Sequence, residues 1–143
     1  MACLKNLEAT VQWEGPNAVA AIIMDPIPGS NTGFPPPPDG YIEGVRELCD
    51  RYGILLIFDE IQVGFGRTGK MFCCENWGVT PDIRAVAKGF SGGYLPLGAA
   101  IATDRIAEAF RASGSGFRHV HTYSGHAVAC VTALANIQII QKE

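Results

Sequence analysis

The 143-residue sequence is poor in charge: Asp, Glu, Lys and Arg together make up only 17% of it, and the net charge is −3. A low charged fraction leaves few fully solvated faces, which is typical of a chain that packs against further protein. The small negative net charge gives no electrostatic case for nucleic acid or for an anionic membrane surface. The composition therefore argues against both classes of partner.

Three further features are missing from the sequence. It does not open with a basic region followed by an apolar stretch, so we see no signal peptide, and no apolar run approaches the length of a membrane span. The five cysteines are odd in number and match no zinc module, so no metal site is expected. Reduced cysteines are typical of the cytosol, and we expect a cytoplasmic protein.

Continuous apolar runs are the clearest structural signal that is present. Residues 19–24 and 54–58 are apolar throughout, which predicts two strands buried on both faces. Between them, residues 41–52 place apolar side chains on one helical face, with Gly53 at the expected end. A strand, a helix and a strand in this order predict a βαβ unit with a parallel sheet.

The remaining elements complete an α/β fold. Residues 83–87 and 97–102 predict two more strands, and their short connection requires them to run antiparallel. Residues 104–112 predict a helix capped by Thr103, and a last helix begins near Ser124. That last helix is apolar nearly all round over residues 127–135, so we expect it to be buried. Residues 1–18 are weakly patterned, and residues 60–81 form a long loop. We predict a mostly parallel sheet with flanking helices and one antiparallel strand.

Polar side chains end three of the predicted strands: Asp25, Asp59 followed by Glu60, and Lys88. Ligands of parallel α/β sheets bind at these carboxyl ends. Burial lowers the pKa of a lysine and makes its amine nucleophilic toward carbonyls, and an aspartate can pair with a protonated pyridine ring. A pyridoxal cofactor requires this pair of groups. The position alone leaves open a lysine that reaches solvent or pairs with Asp59, and an aspartate that is a solvated acid or a helix cap.

A second interpretation of the glycine-rich segment is a phosphate-binding loop. Residues 54–60 resemble the acidic strand of a nucleotide hydrolase, and residues 64–71 nearly match G-x-x-x-x-G-K-[ST]. Met71, however, has no hydroxyl for magnesium, and no strand runs directly into Gly64. The acid also precedes the glycines, contrary to the usual order. The nucleotide-hydrolase interpretation therefore ranks far behind.

A series of motifs resembles the class III aminotransferases, which are pyridoxal-phosphate enzymes of fold type I. The segment Asp59-Glu60-Ile61-Gln62-Val63-Gly64-Phe65-Gly66-Arg67-Thr68-Gly69 is similar to the D-E-V-Q-x-G-F-G-R-T-G signature. The other motifs follow in the family's order and spacing: Pro81-Asp82-Ile83, Ala87-Lys88-Gly89, Gly92-Gly93-Tyr94, Pro96-Leu97-Gly98-Ala99 and His121-Thr122-Tyr123-Ser124-Gly125-His126. The resemblance runs from about Val19 to the end of the chain.

The resemblance implies a role for each matching residue. Lys88 matches the lysine that holds pyridoxal 5'-phosphate as a Schiff base and moves the substrate proton. Asp59 matches the acid that keeps the pyridine nitrogen protonated. Gln62 matches the residue near the phenolic oxygen, and Ile61 the aliphatic residue on the ring face. Thr122 matches a phosphate ligand that reaches into the neighbouring subunit's site, which implies a homodimer.

The sequence also departs from the family pattern. Asp25 stands where Glu is usual, and Ala127 stands where Pro often occurs, while the role of Arg67 stays open. Members of the family are considerably longer, so residues 1–143 resemble part of the cofactor-binding large domain. The phosphate-binding segment that precedes it and the small domain that follows are expected to be absent from this sequence.

The activity that the resemblance implies is transfer of an amino group between an amine or amino acid and a 2-oxo acid. The Tyr-Ser-Gly-His form of the last motif resembles the branch that acts on ω-amino acids and amines. Aminomutation, decarboxylation and racemisation occur on the same scaffold. The alternative from another class is a catalytically silent fragment, and we expect the isolated chain to bind the cofactor poorly and to be inactive.

Overall fold

The structure is a computed structural model that describes residues 2–142. Its four strands form one sheet in the order β1-β2-β3-β4, in which β1, β2 and β3 are parallel and β4 is antiparallel to β3. The predicted α/β class is therefore confirmed, including the antiparallel strand. The strands are β1 (Ala21–Met24), β2 (Leu55–Asp59), β3 (Ile83–Val86) and β4 (Ala99–Ala102), and the α-helices are α1 (Ala2–Glu14), α2 (Tyr41–Tyr52), α3 (Asp104–Ala112) and α4 (Ala127–Ile140).

The core lies between α2 and the central strand β2. The buried face of α2 carries Val45 and Leu48, and the buried face of β2 carries Leu56 and Phe58. Each such side chain contributes roughly 1.5–3 kcal/mol through its removal from water. Gly53 ends α2 with a φ of 67°, a left-handed conformation in which a residue with a Cβ is disfavoured. The sequence pattern predicted this helix and its end correctly.

The helix α1 was not predicted, because its apolar pattern is weak and only Val11 is fully buried. Tertiary contacts with α2 stabilise it instead. Gly44 of α2 leaves the space that the Leu4 side chain occupies, which allows the two helices to approach closely. At the other end, Glu8 accepts a hydrogen bond from Arg51 at 2.7 Å. Neither contact has a signal in the sequence near α1.

The predicted burial of α4 is wrong for the chain as described. Only Ala129 and Ala133 of this helix are buried, and several large side chains are more than half exposed. The reason is that α4 packs mainly against the turn that follows β3, which covers one narrow stripe of a helix that is apolar nearly all round. Its exposed apolar residues are Val128, Val131, Leu134 and Ile139.

An ion-pair network fixes the amino ends of β2 and β3. Asp82 accepts hydrogen bonds from the Leu56 backbone N–H at 2.8 Å, from Arg46 at 3.0 Å and from Arg105. Burial opposes ionisation of this carboxyl, but the three donors outweigh it and hold the Asp82 pKa below its ordinary value. Thr103 stands before α3 as predicted, but its hydroxyl makes no capping hydrogen bond. No helix within residues 2–142 is long and apolar enough to cross a membrane.

Candidate active site

Two carboxylates lie side by side at the carboxyl ends of β1 and β2. Met24 pairs with Phe58 in the parallel register, so the next residues, Asp25 and Asp59, follow at the same edge of the sheet. Burial and the negative charge of Asp59 raise the pKa of Asp25, against the lowering effect of the Gly29 backbone N–H. One oxygen of Asp59 accepts the Ile61 N–H at 3.0 Å. This bond orients the Asp59 carboxylate and leaves its second oxygen for another donor.

Lys88 follows β3 and begins a turn of 3₁₀ helix, Lys88–Ser91. Its φ is 44°, in the left-handed region that residues with a Cβ rarely adopt. Such a conformation costs on the order of 1–3 kcal/mol and is found most often at functional sites. The side chain is exposed, so the desolvation expected from the sequence is not present. Within residues 2–142 Lys88 forms no ion pair with Asp59 or any other acid.

Lys88 opens into a cleft of about 410 Å³ that also contains Gln62. Phe34, which has the same kind of positive φ as Lys88 (56°), lies in the same cleft. Two of the three described residues with a Cβ and a left-handed backbone are thus brought together at one place. The other lining residues are Ile27, Val63, Arg67 and Thr68. On its other side Lys88 borders a second cleft of about 680 Å³, formed with residues 93–98.

The turn that carries Lys88 is held by residues that the sequence did not single out. Asn136 of α4 donates to the Gly89 carbonyl at 2.7 Å. Phe65 of the long loop stacks on Phe90, with 4.8 Å between the ring centroids. Asn136 is one of three polar side chains in the otherwise apolar helix α4, with Thr132 and Gln138, so the sequence marks it only as one of a few candidates. The lysine is therefore positioned by a helix on one side and by the loop on the other.

Glu60 anchors the long loop that carries Gln62. Its side chain is fully buried, and its two oxygens accept the backbone N–H groups of Cys73 at 2.7 Å and Cys74 at 2.9 Å. Arg84 of β3 completes the cluster, with its Nε 3.6 Å from the carboxylate. Burial and the Glu60 charge raise the pKa of both thiols to about 11. Sequence reasoning noted Glu60 beside Asp59 but gave it no role of its own.

The other predicted site residues lie at different distances from the cleft. Ile61 is half-buried two residues after Asp59, and its backbone N–H orients that carboxylate. Arg67 is exposed at the edge of the cleft. Thr122 is exposed and does not line the cleft. The structure thus brings Lys88 and Gln62 together in one cleft and leaves Thr122 outside it.

Two competing sites can be set aside. A cleft of about 610 Å³ at the amino ends of the strands is lined by Arg46, Arg105, Asp50 and Asp82, but these two positive and two negative charges already pair with one another. The glycine-rich segment starting at Gly64 forms turns, and the next regular element is the short 3₁₀ helix Cys73–Trp77. A phosphate-binding loop needs a strand before it and a helix directly after it, so the nucleotide-hydrolase interpretation does not fit.

The described residues fit pyridoxal phosphate in the groups that its ring requires. Lys88 offers an amine that no acid in the described part of the chain pairs with, Asp59 offers a carboxylate on the neighbouring strand, and Gln62 offers an amide in the lysine's cleft. An amine, a ring-nitrogen partner and a polar contact for the ring substituents are what this cofactor takes from a protein. The arrangement can therefore hold the cofactor across the ends of β2 and β3.

Comparison with known protein sequences also supports a pyridoxal-phosphate site. The family model of the class-III aminotransferases matches residues 1–143. A probable aminotransferase of Mycobacterium tuberculosis is 46% identical over 138 residues, which cover 96% of this chain and 29% of that protein. An adenosylmethionine-8-amino-7-oxononanoate aminotransferase of Nitratidesulfovibrio vulgaris is 42% identical, over 100% of this chain and 27% of that protein.

Comparison with solved structures supports the same family. An (S)-enantioselective omega-transaminase from Thermomicrobium roseum superposes with a TM-score of 0.92 at 45% identity, over 97% of this chain and 31% of that one. A taurine:2-oxoglutarate aminotransferase from Bifidobacterium kashiwanohense, in complex with PLP and glutamate, gives 0.91 at 46%, over 97% of this chain and 30% of that one. The chain thus spans about 30% of the length of such relatives. With a family model that covers its whole length, the chain belongs to the class-III aminotransferases, a family of pyridoxal-phosphate enzymes.

Proposed function

We propose that this chain is the part of an aminotransferase large domain in which Lys88 binds pyridoxal 5'-phosphate covalently and Asp59 binds its ring nitrogen. The observation that carries the proposal is the placement of Lys88: a lysine with no acidic partner among residues 2–142, on a strained turn, at the carboxyl end of a strand next to the one that ends in Asp59. Strain at a single exposed lysine has no stabilising role in the fold, which favours a function for it.

Each proposed role follows from the chemistry of the residue. When bound, the cofactor supplies an electron-accepting ring to the substrate. Lys88 would move the substrate proton through its amine. Asp59 would keep a proton on the ring nitrogen, and the Ile61 N–H fixes the direction of its carboxylate. Gln62 would hold the phenolic oxygen, Ile61 would contact the ring, and Thr122 would hold the phosphate of the neighbouring subunit's cofactor.

For the substrates we propose an amine or ω-amino acid as donor and a 2-oxo acid as acceptor. The Tyr123-Ser124-Gly125-His126 form of the last motif supports the ω-amino branch. Among the solved relatives are an omega-transaminase and a taurine:2-oxoglutarate aminotransferase, both with amino groups in such positions by name. Apart from Lys88, the cleft is lined by neutral and apolar side chains and by Arg67, whose single charge suits a substrate with one carboxylate better than a dianion.

We also propose that the working enzyme is a homodimer. The exposed apolar side of α4 and the exposed Thr122 lie on the same stretch of chain, residues 122–140. Apolar patches of this kind are typical of surfaces that another protein covers. A second subunit that covers α4 would bring the loop with Thr122 toward a site outside its own chain.

The test is Asp59→Asn in an enzyme of the family's full length that contains this chain. The amide cannot hold the ring nitrogen protonated, so the cofactor should still bind while turnover falls. Loss of a charge-assisted hydrogen bond corresponds to about 1.5–3 kcal/mol, which is roughly a ten- to hundredfold effect on affinity. We expect kcat to fall by more than that, because the charge matters most at the transition state.

The matched control is Asp39→Asn, which changes an exposed aspartate away from the cleft in the same way and should leave kcat unchanged. If the Asp59 variant kept normal turnover, Asp59 would be a structural acid and the assignment of the ring partner would be wrong.

A further inference from the structure

Gly29 lies in the turn that follows β1, and its carbonyl is held by two hydrogen bonds. Its carbonyl accepts the Thr32 backbone N–H at 3.0 Å and the Thr32 hydroxyl at 2.8 Å. Gly29 is also buried, although the residues that directly follow it are exposed. A buried residue whose carbonyl accepts two hydrogen bonds has little freedom to move when a neighbouring group presses on it.

The Gln62 side chain lies directly over the Cα of Gly29. A Cβ added at Gly29 would lie 2.8 Å from Gln62 Nε2, 3.5 Å from its Cδ and 3.7 Å from its Oε1. All three of the nearest atoms therefore belong to one carboxamide. The backbone of Gly29 is outside the left-handed region, so alanine meets no conformational obstacle there. Gly29 therefore lacks a side chain to leave room for the Gln62 amide, and not to adopt a special backbone conformation.

We propose that Gly29, fixed by Thr32, is the positioning residue that sets the Gln62 carboxamide against the Lys88 cleft. The inference rests on the proposed function, since Gln62 matters there as a donor to the cofactor. It adds that the β1 turn, which supplies no group to the ring, determines where that donor stands.

The consequence of adding one methyl group follows from which partner can yield. The Gly29 carbonyl is held by two hydrogen bonds, whereas Nε2 is the far end of a flexible side chain, so the amide moves. It must move from 2.8 Å to an ordinary contact of at least 3.4 Å. A shift of this size changes a hydrogen bond more than it changes packing, because hydrogen bonds depend steeply on distance and angle. Folding stability should therefore change little while the donor function is lost.

The experiment is a double-mutant cycle with Gly29→Ala and Gln62→Ala in an enzyme of full family length. The readouts are the dissociation constant for pyridoxal phosphate, the pH at which the visible absorbance of the bound cofactor changes, and the thermal midpoint of the apoenzyme. We expect Gly29→Ala to weaken cofactor binding about three- to tenfold and to shift the absorbance titration in the direction that Gln62→Ala shifts it. With Gln62→Ala already present, Gly29→Ala should have no further effect.

Gly116→Ala is the matched control, because a Cβ there meets nothing within 4 Å and its backbone is not left-handed. The thermal midpoint should be the same in both glycine variants. Equal effects of Gly29→Ala with and without Gln62 would overturn the inference, as would a crystal structure of Gly29→Ala with the amide unmoved. These outcomes are distinct from failure of the proposed function, in which the unmodified enzyme would carry no cofactor on Lys88.

Discussion

Replacing Glu60 with glutamine should destabilise the protein strongly, although the two side chains have nearly the same volume. The change keeps the volume and one oxygen of a side chain that is fully buried. It replaces the other oxygen with an NH₂ group, which then faces a backbone N–H of Cys73 or Cys74 instead of accepting from it. It also leaves Arg84, whose side chain is 14% exposed, without its carboxylate.

The magnitude can be worked from these contacts. A buried donor left without an acceptor costs about 1–3 kcal/mol, and breaking a buried charge pair from one side costs about 3–5 kcal/mol. The two effects overlap, so we expect a loss of about 3–5 kcal/mol. Domains of this size have a free energy of unfolding of about 5–15 kcal/mol, so the loss is a large share of it. The loop of residues 60–81 should become mobile first, because Glu60 is what ties Cys73 and Cys74 to the sheet.

The assay is urea denaturation, followed by hydrogen exchange at residues 60–81. With a slope of about 1–3 kcal/mol per molar, the midpoint should fall by at least about 1 M. Glu75→Gln is the matched control, because Glu75 is exposed and accepts a single backbone N–H at 2.8 Å, which glutamine can also do. A Glu60 variant as stable as the Glu75 variant would refute the reasoning that a buried carboxylate anchors the loop.

Two further predictions concern titrating groups. Burial raises the pKa of Cys49, Cys73 and Cys74 to about 11. Iodoacetamide at a pH of about 8 should therefore label the exposed Cys3 and leave those three thiols unmodified until the protein is unfolded in urea. Peptide mass spectrometry measures the labelling, and early modification of Cys73 would contradict the prediction. Because the folded-state pKa of Asp82 is lowered, its contribution to stability is present above the unfolded value and is lost as the pH falls through the folded value. Asp82→Asn should therefore flatten the loss of urea midpoint below a pH of about 4, and an unchanged slope would show that other acids cause that loss.

The sequence predicted the sheet well, because continuous apolar strands and a clean amphipathic helix α2 carry their signal locally. It predicted α1 not at all, since that helix depends on Leu4 fitting over Gly44 and on the ion pair from Glu8 to Arg51, which join residues about forty positions apart. The burial of α4 was wrong for a related reason. An apolar stretch indicates that a surface should be covered, but it does not say whether the cover belongs to the same chain.

The candidate site was predictable where polar residues end apolar strands, as at Asp59 and Lys88. The groups that position them were not predictable, because their importance lies in contacts across the fold. Asn136 reaches the Gly89 carbonyl from 47 residues away. Gly29 is one of 17 glycines in the sequence, and only the position of Gln62 distinguishes it from the others.

The most direct test of the central claim is to locate the covalently bound cofactor. An enzyme of full family length that contains this chain is loaded with pyridoxal phosphate, reduced with borohydride and digested, and the modified peptide is sequenced by mass spectrometry. We predict one reduced adduct, on Lys88, and none in the Lys88→Ala variant, while Lys70→Ala, which changes a lysine of the neighbouring loop, keeps the adduct. An adduct on Lys70 or Lys5 in the unmodified enzyme would contradict the assignment of Lys88.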